Sequence, residues 1–105
     1  MSKKLPPVTH LQFVVLSQVR DGEAFGRDIR RELARRGERR TLAAFYQMMA
    51  RLEEARLVDG WYDQRVVDSQ PIKERCYRIT PAGKRAWAQT CEFYAALGAE
   101  GLSRA

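Results

Sequence analysis

FGRDIRRELARRGERRTLAAFYQMMARLEEARLV, residues 25–58, decides the fold of this chain. Ile29 and Leu33, with Phe25 ahead of them, repeat every four residues and mark the apolar face of a helix running from about Gly26 to Arg36. Gly37 is a helix stop, and Gly37-Glu38-Arg39-Arg40 reads as a tight turn. Thr41 is the expected N-cap of the next helix, to about Ala55, on which Leu42, Phe45, Met49 and Leu52 form one apolar stripe. Its other faces carry Ala43, Ala44, Gln47, Ala50, Arg51 and Glu54. A helix that needed only solubility would carry Lys and Glu there. Small side chains let a helix approach a groove closely, and a glutamine amide reads a base edge or holds a phosphate.

Working outward, Thr9 and Gln12 make a capping box, followed at helical spacing by Leu11, Val14, Val15, Leu16 and Val19. Asp21-Gly22 ends that helix, and the turn runs to Gly26. Downstream, Leu57–Val67 and Pro71–Thr80 read as two strands joined by Asp68-Ser69, a two-stranded hairpin. Pro71 cannot donate to a ladder, which suits an edge or a strand start. Thr80 then caps a last helix with Pro81 at its first position. Trp87, Cys91, Tyr94 and Gly98 share one face, and Gly98 and Gly101 predict fraying after Leu97. The fold class is mainly α (α+β): three helices, a hairpin wing and a fourth helix, a winged helix-turn-helix. Residues 1–8 are expected as an arm, 9–80 as the winged helix-turn-helix, 81–97 as a dimerisation helix and 98–105 as a frayed tail.

The 105 residues carry a net charge of +6, and the charge is local. From Gly26 to Arg51 there are eight arginines, no lysine and three acids. The planar guanidinium fork suits phosphate, so the cluster points to phosphate binding, with plain solubility as the alternative. No apolar run approaches the ~20 residues of a membrane span, and no signal-peptide core follows the N-terminal lysines, so a cytoplasmic location is expected. Cys76 and Cys91 belong to no CxxC pair, and with one histidine, His10, they cannot make a zinc site. They read as reduced thiols, with a disulfide between protomers as the alternative. Neither a nucleophile elbow, a phosphate loop nor HExxH occurs, so no enzyme, metal or cofactor is expected.

Three blocks carry a resemblance to a known family. Residues 45–58, FYQMMARLEEARLV, resemble the "LY-x-x-L-x-x-LE-x-x-GLV" signature of the PadR family of transcription regulators. Residues 74–83, ERCYRITPAG, resemble its "R-x-x-Y-x-LT-x-x-G" block, and Phe25–Ile29 is similar to its "HGYEI". Gln47 stands where Pro is common, Arg27 where Tyr is usual, Ala43 where Gly is common, and Arg56 where Gly precedes Leu-Val. The resemblance implies a repressor that binds a palindromic operator as a homodimer, pairing through its last helix with help from the first. It also implies release by a small aromatic effector, as in many members, and a DNA role for Tyr46.

The candidate double-stranded-DNA contacts are Arg39, Arg40, Thr41, Ala44, Tyr46, Gln47, Arg51, Arg65 and Lys73. Tyr46 offers a hydroxyl to phosphate or packs at the core edge; Thr41 and Gln47 read bases, or cap a helix and face solvent respectively. Arg51 reaches phosphate or pairs with acids on its own helix. Arg65 and Lys73 flank the wing. Met48 and Met49 read as core filler. Leu11, Val15, Trp87, Cys91 and Tyr94 are the candidate dimer interface. Trp87 has two other readings, a wall of an effector site and ordinary core. The alternative function is a winged-helix protein–protein interaction module that does not bind DNA.

Overall fold

The computed structural model describes residues 5–104. In chain order the elements are α1 (His10–Val19), β1 (Ala24–Phe25), α2 (Gly26–Arg35), α3 (Leu42–Glu54), β2 (Val58–Val67), β3 (Gln70–Ile79) and α4 (Pro81–Arg104). Residues 1–4 of the expected arm, and Ala105, lie outside the described residues. Val8, assigned to that arm, is 7% exposed and belongs to the core.

α1 begins at the capping box: Thr9 N–H donates to Gln12 Oε1 (2.9 Å) and Gln12 N–H to Thr9 Oγ1 (3.1 Å). Its Val15, Leu16 and Val19 meet Ile29 and Leu33 of α2 and Phe45, Met48, Met49 and Leu52 of α3 in one core, closed by Val58, Tyr77, Ile79 and Ala86. Fully burying a side chain of this size contributes roughly 1.5–3 kcal/mol. Leu42, expected in the α3 stripe, is 55% exposed because it sits at the first helical position, ahead of the layer that α1 and α2 cover.

α2 and α3 end in the same motif. After α2, Glu38 N–H reaches Leu33 O (2.9 Å) and Gly37 N–H reaches Ala34 O (3.0 Å); after α3, Leu57 N–H reaches Leu52 O (3.0 Å) and Arg56 N–H reaches Glu53 O (2.9 Å). The left-handed residue is Gly37 (φ 92°) in the first and Arg56 (φ 59°) in the second. Asp68 and Ser69 (φ 51° and 63°) form the expected two-residue turn at the wing tip.

The sheet has three strands in the order β1-β3-β2, all antiparallel, where a two-stranded hairpin was expected. Ala24 and Phe25, read as turn, pair with Tyr77 and Cys76. A two-residue strand has no periodicity of its own and exists only because β3 supplies its partners. Pro71 pairs with Val66 beyond the reach of β1, so its missing donor faces an open edge.

α4 starts as expected, with Thr80 Oγ1 accepting from Gly83 N–H (2.9 Å) and donating to Arg56 O (2.7 Å). It continues through Gly98 and Gly101 to Arg104, past the expected end at Leu97. Each glycine costs about 1 kcal/mol relative to alanine, but Ala95, Ala96, Ala99 and Leu102 around them are strong helix formers. No helix among the described residues is long and apolar enough to cross a membrane. Three helices, a β-wing and a final helix make this a winged helix-turn-helix.

Candidate nucleic-acid interface

The arginines divide into two groups. On α2, Arg35 and Arg36 both bind Glu32, Arg36 at 3.1 Å, and Arg31 lies 3.8 Å from Asp28. The hydrogen bond from Arg35 is the main reason the Glu32 carboxyl sits below its ordinary range, so both guanidinium groups face a formal anion at neutral pH. At the start of α3 the pattern changes. Arg30 Nε donates to the Arg40 carbonyl (3.2 Å), which fixes the turn, while the Arg40 guanidinium pairs with Glu38 (3.2 Å). Arg39 and Arg51 are exposed and have no ion pair among the described residues. Arg27, Arg30, Arg31, Arg39 and Arg40 line a surface recess between α2 and the turn, next to the α3 N-terminus. Of these five, Arg39 alone has no ion pair or hydrogen bond among the described residues, and a guanidinium group beside a helix N-terminus attracts phosphate.

Thr41 caps α3, its Oγ1 accepting from Ala44 N–H (3.1 Å), so this acceptor is already engaged. Gln47 is exposed and Ala44 half-buried. Both line, with Arg40 and Arg51, an open cleft of about 780 Å³ between α3 and the first turns of α1. Leu11, expected at a partner interface, lines the same cleft. Tyr46 is half-buried, edge-on to Phe45 (5.2 Å between centroids), with its hydroxyl against Gly26, where an added Cβ would lie 3.2 Å away. Burial pushes its pKa up, so the hydroxyl remains a proton donor at neutral pH, as a phosphate contact requires.

On the wing, Lys73 is exposed and sits opposite Gln64. Arg65, expected at the DNA backbone with it, is committed elsewhere. It binds Asp28 of α2 at 2.9 Å, approaches Glu74 of β3 at 3.3 Å and lies over the Phe25 ring of β1 at 4.6 Å. Its partners stand 37 and 9 positions away in sequence, which no local pattern announces. Glu74 also accepts from Arg27 N–H (3.2 Å), capping α2 in place of Phe25, which has no side-chain cap to offer. Arg75, which sequence reasoning passed over, bonds Glu53 of α3 and lies over Tyr62 (5.0 Å) and Tyr77 (5.6 Å). The available signal was Gly60: glycine inside a strand marks close approach.

The expected interface residues separate as well. Val15 is fully buried in its own core and has no surface for a partner. Trp87 is half-buried against α1: Nε1 donates to Ser17 Oγ (2.9 Å), and Arg20 covers the ring at 5.0 Å. Tyr94 is 41% exposed beside Phe13, with ring centroids 6.0 Å apart, and Leu97 and Leu102 further along α4 are exposed. Cys91 is half-buried and Cys76 buried, with no disulfide; burial raises the Cys76 pKa and disfavours its thiolate. Among the described residues no cluster of His, Cys, Asp and Glu could hold a metal ion.

A family model described as transcriptional regulator PadR-like family matches residues 15–89. Among solved structures, a PadR family transcriptional regulator from Eggerthella lenta is 29% identical, with a TM-score of 0.68 over 90% of this chain and 79% of that one. A transcriptional regulator from Clostridium thermocellum is 22% identical, with a TM-score of 0.67 over 90% and 88%. Bacillus subtilis PadR in complex with operator DNA is 18% identical, with a TM-score of 0.60 over 78% of this chain and 46% of that one. No curated protein matches the sequence.

Proposed function

The chain belongs to the PadR-like family of transcriptional regulators, and from that premise we propose that it is a sequence-specific DNA-binding repressor acting as a homodimer on a palindromic operator. The family is one of regulators rather than enzymes. The observation that carries the reading is that Arg39 and Arg51, exposed and without an ion pair among the described residues, bracket the small outer face of α3. In this reading α3 enters the major groove with Ala44 and Gln47 toward base edges, while Arg39, Arg40, Arg51, Thr41 and Tyr46 hold phosphates. Lys73 holds the backbone beyond, from the wing. The B. subtilis structure, solved with operator DNA, supports a duplex as the partner of this fold.

Pairing falls to α4, whose Tyr94, Leu97 and Leu102 would otherwise remain exposed apolar surface, with Trp87 and Cys91 on the same helix. The Phe13–Tyr94 aromatic pair is the surface on which a small aromatic effector would stack.

Fluorescence anisotropy of labelled duplex from upstream of the gene, over a salt series, tests DNA binding. Log affinity should fall with log salt at about −0.9 per phosphate contacted, giving a slope steeper than about −4 for a dimer. Absence of binding at low salt to both this duplex and bulk DNA overturns the proposal. Sedimentation equilibrium tests pairing separately: a dimer is expected, and only monomer at micromolar concentration removes it.

A further inference from the structure

From the contacts that hold the wing, we infer that two arginine braces, Arg65 on one face of the hairpin and Arg75 on the other, fix the angle between the wing and α3. Arg65, Glu74 and Asp28 thereby become positioning residues for DNA recognition rather than contacts. The inference rests on the DNA-binding reading above for its consequence, but not for its geometry.

The cross-strand register places Tyr62, Gln64, Arg75 and Lys73 on one face of the hairpin and Asp63, Arg65 and Glu74 on the other. On the second face, the Arg65 guanidinium joins three elements: Asp28 of α2, Glu74 of β3 and the Phe25 ring of β1. Glu74, 8% exposed, grips the first turn of α2 through Arg27 N–H. The wing and the supporting helix therefore share one ionic junction. On the opposite face Arg75 reaches across β2 to Glu53, near the end of α3. It passes over Gly60, where an added Cβ would lie 2.5 Å from Arg75 Nη2 and 2.6 Å from Glu53 Oε1. Glycine at position 60 is what leaves room for this bridge. A hairpin tied on only one face could still hinge; tied on both, it holds Lys73 at a set distance from Arg39 and Arg51.

Ordinary electrostatics and the braces predict opposite signs for the same substitution. Removing an acid beside a DNA-binding face reduces repulsion and should strengthen binding. If Asp28 instead holds the wing, Asp28→Asn weakens it. Gly60→Ala is the second variant: it pushes the flexible ends of Arg75 and Glu53 apart with no change in net charge. Arg65→Lys is the third, keeping the charge but losing the planar fork that serves two carboxylates and the ring.

The experiment is duplex-DNA anisotropy on the full chain, with hydrogen exchange of the wing amides (58–79) read on the same variants without DNA. All three variants should lose affinity, about three- to tenfold. Exchange at residues 62–72 should rise about tenfold while the amides of α1 keep their protection. Rising affinity in Asp28→Asn, full affinity in Arg65→Lys, or wing exchange equal to wild type would each overturn the inference. Should the wild type not bind DNA, the repressor reading fails, and wing exchange in Gly60→Ala and Asp28→Asn still decides whether the braces exist.

Discussion

α2 carries four arginines and α3 only one, yet the electrostatic roles of the two helices are the reverse of that count. The α2 cations are engaged on their own chain: Arg35, with Arg36 at the C-cap, on Glu32, Arg31 on Asp28, Arg27 near Glu74 and Arg30 on the Arg40 carbonyl. Arg51 on α3, and Arg39 just ahead of that helix, are exposed and have no ion pair among the described residues. Local acids decide which positive charges remain for a partner. The helix with the larger formal charge is the support, and its neighbour, fitted with alanines and a glutamine, is the helix built to present a surface. The helix ends differ in the same way: α2 stops on a glycine free to be left-handed, and α3 stops on Arg56, strained in that conformation.

The largest contrast between the two helices is expected from a pair of double variants. Arg39→Ala/Arg40→Ala should lower DNA affinity about 10- to 100-fold and reduce the salt slope by about 0.9 for each phosphate released. Arg35→Ala/Arg36→Ala removes the same charge from α2 and should cost less than about threefold, since those groups already have a partner. Equal losses would mean that net charge, not placement, governs binding. A medium effect is expected at the helix ends. Arg56→Gly relieves a left-handed residue and should stabilise the fold by about 1 kcal/mol, while Gly37→Ala should destabilise it by about the same amount, both read from denaturant midpoints.

The smallest expected change concerns Glu32. Arg35 holds its carboxyl below the ordinary range, so the stabilisation this pair provides is present above the unfolded pKa and fades as pH falls through the lowered one. Glu32→Gln should abolish that acid-side dependence. It should also raise non-specific DNA affinity about twofold, because two arginines lose their local anion. An unchanged affinity would show that α2 lies too far from the duplex for its charge to be felt.

Much of this was legible in the chain. Thr9 with Gln12, Thr41, and Thr80 with Pro81 are local capping signals, and each starts a helix where expected. The spacing of Ile29, Leu33, Phe45, Met49 and Leu52 identified the buried faces because burial follows helical period. What escaped depends on partners far along the chain. β1 exists only through Tyr77 and Cys76, and Arg65 is bound to carboxylates because α2 delivers Asp28 to it. Val15 was on the correct face of α1 for packing, but that face closes on its own chain, leaving a partner only the flanking residues.

Whether free positive charge sits at the two ends of α3, on Arg39 and Arg51, and not along α2 is read from a chemical-shift map of the arginine side chains and backbone amides during titration with a short duplex. Shifts are expected at Arg39, Arg40, Ala44, Gln47 and Arg51, with Arg35 and Arg36 unmoved. Perturbations centred on Arg31–Arg36, or spread evenly over all the arginines, would contradict that placement.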